Sequence, residues 1–305
     1  LKVYHGSKNF PASVPRPVVA LGNFDGVHLA HREMFRLTRK LAKKLKGTAV
    51  TYTFSPHPVK VLSPATAPAM INTLEQRLEL LKDSGLDAVV VEPFELKFAH
   101  FKAEAWFQKV IVKNLHAAGV VVGYDFTFGS HRGGTVETME KLCADSGLEC
   151  RVLEAQMKGE TLISSSNIRA FVAKGAVDRA AALLGRPYFL EGKVIQGAGR
   201  GASLGIRTAN LKTENELIPM GGVYACYAEL GKKRYRAVAN LGLNPTFGGS
   251  TLSIEAHLLG FRRNIYGKTL RLHFIKRLRD ERPFASVEEL VAQIRKDIHG
   301  AEKIL

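Results

Sequence analysis

Between residues 17 and 153 the chain repeats one alternation: a short run of apolar, often β-branched residues, then a stretch long enough for a helix. The runs are Pro17 to Gly22, Thr48 to Phe54, Leu86 to Val91, Gly119 to Gly123 and Leu148 to Leu153. The helical stretches are about Leu29 to Lys46, then Thr73 to Ser84, Lys102 to Leu115 and Thr135 to Ser146. In the second of these Leu74, Leu78 and Leu81 recur at spacings of four and three, the period of a helix face. Strands that are apolar along their whole length are buried on both faces, and strands separated by helices pair in parallel. The first half is therefore expected to be a parallel α/β sheet. Such sheets bind ligands beyond the carboxyl ends of their strands, so the loops that follow strands are where functional residues are sought.

The pattern changes after two short helices, Asn167 to Lys174 and Ala176 to Leu184. Gly185-Arg186-Pro187 reads as a junction, giving an expected domain of residues 1–184 and another of 185–305. Beyond it the strand candidates follow one another without helices: Gly192 to Gln196, Val223 to Glu229, Tyr235 to Leu241, Leu252 to Leu259 and Leu270 to Leu278. With Gly231-Lys232-Lys233 as a hairpin loop, they predict an all-β antiparallel sheet or barrel. A last helix, Ser286 to Ile298, begins with a Ser cap and has Glu289 three residues on, the pattern of a capping box.

Composition narrows the function classes. Hydrophobic residues are 46% and charged residues 24% of the 305, as in a globular protein. No apolar run approaches the roughly 20 residues that span a bilayer. Leu1 to Phe10 lacks the apolar core of a signal peptide, so the cytoplasm is expected. Cys143, Cys150 and Cys226 suit neither a disulfide framework nor a C-x-x-C metal pair. The formal charge of +16 favours anionic partners, and nucleotides or phosphorylated small molecules fit it as well as nucleic acid does. The densest basic run, Arg32, Arg36, Arg39, Lys40, Lys43, Lys44 and Lys46, falls on one helix with little aromatic interleaving, so no stacking platform for single strands is expected.

The loop from Leu21 to His31 joins a strand to a helix. Its glycines, Gly22 and Gly26, allow close backbone approach, and the helix N-terminus offers N–H groups and a positive dipole end to phosphate. His28 and His31 are three apart and share one face of the first turn, where two imidazoles could stabilise charge on bridging phosphate oxygens. Later, the glycine-rich stretch Gly192 to Gly201 follows a strand but opens no helix, which excludes a dinucleotide fingerprint, and no P-loop pattern is present.

These motifs carry a resemblance. Gly22-Asn23-Phe24-Asp25-Gly26-Val27-His28, with His31 following, resembles the signature of the nucleotidylyltransferase superfamily in its FAD synthetase branch. Thr53-Phe54-Ser55-Pro56-His57-Pro58, Gly123-Tyr124-Asp125-Phe126-Thr127-Phe128-Gly129 and Ile163-Ser164-Ser165-Ser166-Asn167-Ile168-Arg169 resemble further segments of that branch, in order. In the second half, Leu204-Gly205-Ile206-Arg207-Thr208-Ala209-Asn210 resembles the Gly-x-Pro-Thr-Ala-Asn of riboflavin kinases. Asn240-Leu241-Gly242, Ile254-Glu255-Ala256-His257-Leu258 and Tyr266-Gly267 add to it.

The resemblance implies a Rossmann-like nucleotidylyltransferase domain followed by a riboflavin kinase β-barrel with a C-terminal helix. It implies phosphorylation of riboflavin to FMN and adenylylation of FMN to FAD, with ATP, riboflavin and FMN as partners, Mg²⁺ accompanying ATP, and neither membrane nor nucleic acid. A weak homo-oligomer is compatible with it. For site residues it implies catalytic roles for His28, His31, Arg169 and Glu255, the last as general base on the ribityl hydroxyl. ATP and phosphate contacts fall on Gly22, Asn23, Phe24, Asp25, Ser164, Ser165, Gly197, Gly199, Gly205 and Asn240. Flavin contacts fall on Pro56, His57, Asp125, Phe126 and Phe128, and Mg²⁺ ligands on Thr208 and Asn210. Three positions depart from the pattern: Ala30 stands where the family has Gly between its histidines, Arg207 where riboflavin kinases have Pro, and Ala202 where an Arg is common. Pro would stiffen the metal-binding loop, whereas Arg loosens it and adds charge. A chain retaining one of the two activities is the rival expectation, and a basic nucleic-acid-binding protein is the remoter one.

Overall fold

The computed structural model describes residues 1–197, 207–246 and 249–305, with the backbone alone at 243–246 and 249–252. It divides into two compact units, Leu1–Ser164 and Ser165–Leu305.

The first unit contains β1 (Lys2–His5), β2 (Val18–Leu21), α1 (Leu29–Lys44), β3 (Ala49–Ser55), α2 (Pro58–Leu62), α3 (Leu74–Lys82) and β4 (Ala88–Pro93). Then come α4 (Leu96–Ala99), α5 (Ala103–Trp106) continuing into a π-helical stretch (Phe107–Asn114), β5 (Gly119–Gly123), α6 (Val136–Asp145) and β6 (Glu149–Leu153). A small antiparallel pair, β7 (Met157–Lys158) and β8 (Thr161–Leu162), ends the unit. The six-stranded sheet has the order β1-β4-β3-β2-β5-β6, with every pairing parallel. From β2 the chain moves outward through β3 to β4, then returns to the other side of β2 at β5. That reversal makes the carboxyl end of β2 the switch point at which such sheets bind ligands.

Alternation along the strands explains their continuous apolarity. Val19, Leu21, Tyr52, Val90 and Val122 face one side, against Trp106, Phe107, Ile111, Met139 and Cys143 of the helices there. Val18, Ala20, Val89, Val91 and Val121 face the other, against Met34, Phe35 and Leu41 of α1 and Leu81 of α3. Both faces are covered, as the sequence requires. Strand β1 was not legible: its four residues are mostly exposed, and pairing with β4 alone needs no apolar run.

The second unit begins with α7 (Ser165–Ala173) and α8 (Val177–Leu184). It continues through β9 (Tyr188–Ile195), β10 (Ala209–Thr213), β11 (Gly222–Leu230), β12 (Lys233–Thr246), β13 (Gly249–Leu258), β14 (Thr269–Arg279) and α9 (Val287–Ile304). The strands close an antiparallel barrel in the order β10-β13-β12-β11-β14-β9, with β9 pairing back to β10. Closure removes the exposed edges an open sheet would leave. The Gly185 junction marks the approach to the barrel strands, but α7 and α8 pack with the barrel, because Ile168, Val172, Val177, Ala180, Leu183 and Leu184 are buried. The Met220 N–H also donates to the Val172 carbonyl at 3.4 Å. Helix α9 is pinned by Arg279, which forms an ion pair with the buried Asp297 at 2.8 Å. Ser286 caps α9 by accepting from the Glu289 N–H, while the Glu289 carboxylate reaches back one residue further, to the Ala285 N–H at 3.2 Å.

Candidate active sites

In the first unit, the loop after β2 is shaped by three residues in the left-handed region: Phe24 (φ 51°), Gly26 (φ 87°) and Val27 (φ 42°). Holding two side-chain-bearing residues there costs energy, so the surroundings must fix them. The buried Phe24 ring does so by packing edge-on against His31 at 5.2 Å and tilted against Phe35 at 4.9 Å. Gly22 makes room, since a Cβ there would lie 3.0 Å from the Phe24 ring. His28 caps α1: its Nδ1 accepts the His31 N–H at 3.3 Å, and the two rings stack with centroids 3.5 Å apart. With Nδ1 accepting, the neutral ring carries its proton on Nε2 and presents a donor there. Ala30 lies inside α1, where a methyl group is compatible with helical backbone and no left-handed turn is needed.

The Phe24 and Asp25 side chains, expected at phosphate, have another task. Asp25 is 2% exposed, and its carboxylate accepts the Ile71 N–H at 3.1 Å and the Asn72 N–H at 3.3 Å, tying the loop to the start of α3. Of the groups expected at phosphate in this loop, the backbone and the two histidines are not part of that anchor to α3. The Asn23 carbonyl accepts from Thr53 Oγ1 at 3.0 Å and Arg77 Nη1 at 2.6 Å, and Arg77 Nη2 also holds the Phe54 carbonyl at 2.9 Å. Burial lowers the Arg77 pKa, and the Asp25 charge opposes that shift. Arg77 was not singled out from sequence, although it was detectable: it lies three residues after Leu74 and four before Leu81, a charge on the apolar stripe of α3.

The expected flavin residues follow β3 and β5. His57 caps α2, its Nδ1 accepting the Val59 N–H at 3.2 Å, and Pro56 beside it is exposed. Asp125 is exposed; Phe126 stacks on the buried Phe128 at 5.6 Å, and Phe128 packs on Trp106 at 5.4 Å. Trp106 contacts Tyr52, Tyr52 contacts Phe54, and Phe54 meets Phe94 at 5.4 Å and Phe98 at 5.9 Å. Phe54, Phe94 and Phe98 extend the expected pair into an aromatic array along the carboxyl ends of β3, β4 and β5, suited to a planar ring. Behind it, the buried Glu92 accepts from Tyr52 Oη at 3.1 Å and the Ser7 N–H at 2.7 Å. Burial foremost, then the Glu92 charge, pushes the Tyr52 pKa up and keeps its hydroxyl a donor. Ser164 closes the first unit; Ser165 opens α7 of the second, with Arg169 one turn further on the same helix face.

In the second unit, Glu255 lies opposite Asn210 on one neighbouring strand and Asn240 on the other. Ile254, Ala256 and Leu258 of β13 are buried, so Glu255 points away from the barrel core, together with its cross-strand partners. Both carboxylate oxygens are held: Thr208 Oγ1 donates to one at 3.2 Å and Ser253 Oγ to the other at 3.2 Å. Beside this row lies a cavity of about 310 Å³ whose lining includes Gly197, Arg207, Thr208, Asn210, Phe261 and Tyr266. Gly197 is needed there, because a Cβ would fall 2.1 Å from Asn210 Nδ2. Arg207 restrains the segment that lacks the pattern's Pro: its Nη1 donates to the Arg262 carbonyl at 3.2 Å, and its own carbonyl lies 2.8 Å from His257 Nδ1. Phe261 was not read from sequence. Gly199, Ala202 and Gly205 lie outside the described residues.

Comparison with known proteins matches both units. A model of FAD synthetases matches residues 11–167, and one of riboflavin kinases matches residues 184–305. A bifunctional riboflavin kinase/FMN adenylyltransferase of Bacillus subtilis is 36% identical over 288 residues, 92% of this chain and 90% of the relative. Its counterpart in Escherichia coli is 33% identical over 281 residues, with the same shares covered. A crystal structure described as a macrolide-efflux protein of Streptococcus pneumoniae superposes with a TM-score of 0.90 at 31% identity, covering 99% of each chain. No helix among the described residues here is long and apolar enough to cross a membrane. With one module matched in each half and both in the relatives' order, the chain belongs to the bifunctional riboflavin kinase/FMN adenylyltransferase family.

Proposed function

We propose that the chain phosphorylates riboflavin to FMN in its barrel and adenylylates FMN to FAD in its parallel-sheet unit, using ATP for both. The observation that carries the reading is the row Asn210–Glu255–Asn240, with both Glu255 oxygens held beside a cavity. A carboxylate held in this way can orient the terminal ribityl hydroxyl and take its proton as that oxygen attacks the γ-phosphorus. The hydroxyl oxygen of Thr208 and the amide oxygen of Asn210 fit Mg²⁺, a hard cation that shares its coordination with phosphates and water. Bound there, Mg²⁺ would neutralise phosphate charge; the chain's own residues do the orienting.

In the first unit the FMN phosphate attacks the α-phosphorus of ATP and pyrophosphate leaves. His28 and His31, stacked at the start of α1, donate to the oxygens on which charge builds, and the helix N-terminus adds its dipole. The aromatic array receives the isoalloxazine ring, and Ser164, Ser165 and Arg169 take the phosphate roles their motif implies. No covalent nucleophile is required, because positioning and electrostatics carry both steps. The division of labour follows residues 1–184 and 185–305, the substrates are those of the cytoplasm, and the location is proposed accordingly.

A chromatographic time course of riboflavin, FMN and FAD with MgATP tests this. Wild type should form FMN and then FAD. His31→Ala should stall at FMN, with adenylylation down by about 10²-fold or more. Glu255→Gln should lose phosphorylation by about 10²-fold or more yet still convert supplied FMN. Wild type that leaves riboflavin untouched and does not adenylylate FMN would overturn the reading.

A further inference from the structure

The outward row of the barrel includes an amide whose orientation is set from outside the row. After β14 the chain passes through Asp280 and Glu281 toward α9. Two contacts bracket this passage: Arg277 forms an ion pair with Asp280 at 2.6 Å, and the Arg279 guanidinium grips both oxygens of Asp297 at 2.8 to 3.1 Å. Glu281 is thereby held near β12, and its Oε1 accepts from Asn240 Nδ2 at 3.1 Å. Gly242, two residues along and on the same face as Asn240, leaves the space this requires. A Cβ there would lie 2.1 Å from Glu281 Oε1 and 2.7 Å from its Cδ.

An ionised carboxylate only accepts hydrogen bonds, so it dictates which end of a neighbouring amide it meets. The Asn240 nitrogen must face Glu281, and the Asn240 oxygen must face elsewhere. Asn240 is the register partner of Glu255. An amide oxygen turned away from Glu281 is an acceptor: it suits an incoming hydroxyl and opposes a phosphate oxygen.

We propose that Glu281 is a positioning residue of the phosphorylation site: it locks the Asn240 amide so that its oxygen receives a hydroxyl of the riboflavin side chain. The alcohol substrate, and not ATP, is what this pair recognises. The proposal rests on the reading of Glu255 as the base on that same chain of hydroxyls.

The test is steady-state kinetics of riboflavin phosphorylation by the full chain, with each KM and kcat determined separately and adenylylation of supplied FMN as an internal reference for integrity. Glu281→Ala frees the amide and should raise the riboflavin KM about tenfold, the loss of roughly one oriented hydrogen bond, with the ATP KM within about twofold. Glu281→Gln still offers an acceptor oxygen and should recover most of that loss. Gly242→Ala pushes the carboxylate away and should reproduce Glu281→Ala with Glu281 intact. A purely structural role would depress kcat and both KM values together and would show no rescue by Gln. An unchanged riboflavin KM in Glu281→Ala, or a rise confined to the ATP KM, would overturn the proposal. Glu255→Gln, run in parallel, separates the two readings: if it phosphorylates riboflavin like wild type, the assignment of the site itself is wrong.

Discussion

Replacing Arg77 by Met should unsettle the adenylylation site from beneath. Met keeps the length of the side chain and the helix propensity of α3, so the change removes chiefly the charge and its donors. Arg77 is 6% exposed and makes two hydrogen bonds to backbone carbonyls, at 2.6 Å to Asn23 and 2.9 Å to Phe54. Bonds from a charged donor contribute about 1.5–3 kcal/mol each. The Asn23 carbonyl keeps the Thr53 hydroxyl at 3.0 Å, which places the expected loss at the lower end, about 3 kcal/mol. In a unit of this size that is roughly 6–12 °C in melting temperature. Urea and thermal unfolding monitored by near-ultraviolet circular dichroism would measure it, and the FMN-adenylylation rate should fall because Asn23 lies in the histidine loop. Thr53→Val shares the Asn23 carbonyl with Arg77, so the double variant should be non-additive by about 0.5 kcal/mol or more. An Arg77→Met protein within about 0.5 kcal/mol of wild type, the range of an ordinary surface change, would refute the account of this network.

Two further outcomes are expected. Arg207→Ala removes the bond across the cavity wall to the Arg262 carbonyl; it should raise the KM for ATP in riboflavin phosphorylation about three- to tenfold and leave FMN adenylylation unchanged, as initial rates at varied ATP would show. Burial lowers the His273 pKa, with the bond to Glu229 at 3.0 Å opposing the shift. Unfolded, that ring titrates near roughly 6.5, so below this pH the unfolded chain binds the extra proton; stability is complete above it and falls as pH drops toward the lower folded value. His273→Gln should flatten that fall, read from urea midpoints at about pH 7.5 and about pH 5.5, and an unchanged slope would count against it.

Much of the molecule was legible because its signals are local. The apolar runs gave five of the six parallel strands, the leucine period of residues 74–81 marked α3, and the Ser286 cap marked the start of α9. What was missed depends on partners distant in sequence. Strand β1 exists only by pairing with β4, and β10, read as motif, becomes a strand by closing the barrel between β9 and β13. The stretch Phe107–Asn114 has the composition of an α-helix and a π-helical hydrogen-bond register. For the sites, motif order pointed to His28, His31, Thr208, Asn210 and Glu255 as candidates, and the geometry brings the last three together. It turns Phe24 and Asp25 inward, because a loop with three left-handed residues needs anchors in the core. Arg77 and Glu281 have no motif to announce them; their partners lie 54 and 41 residues away.

The packing of α7 and α8 decides how this polypeptide could be divided. A cut at the glycine junction would leave the barrel without two helices whose apolar faces are buried, and would leave those faces open on the other fragment. A cut at Ser164 would follow the boundary between the two units and keep α7 and α8 with the barrel against which they are buried. The boundary that respects packing therefore falls before the two helices, some twenty residues ahead of the one that the change of sequence pattern marks.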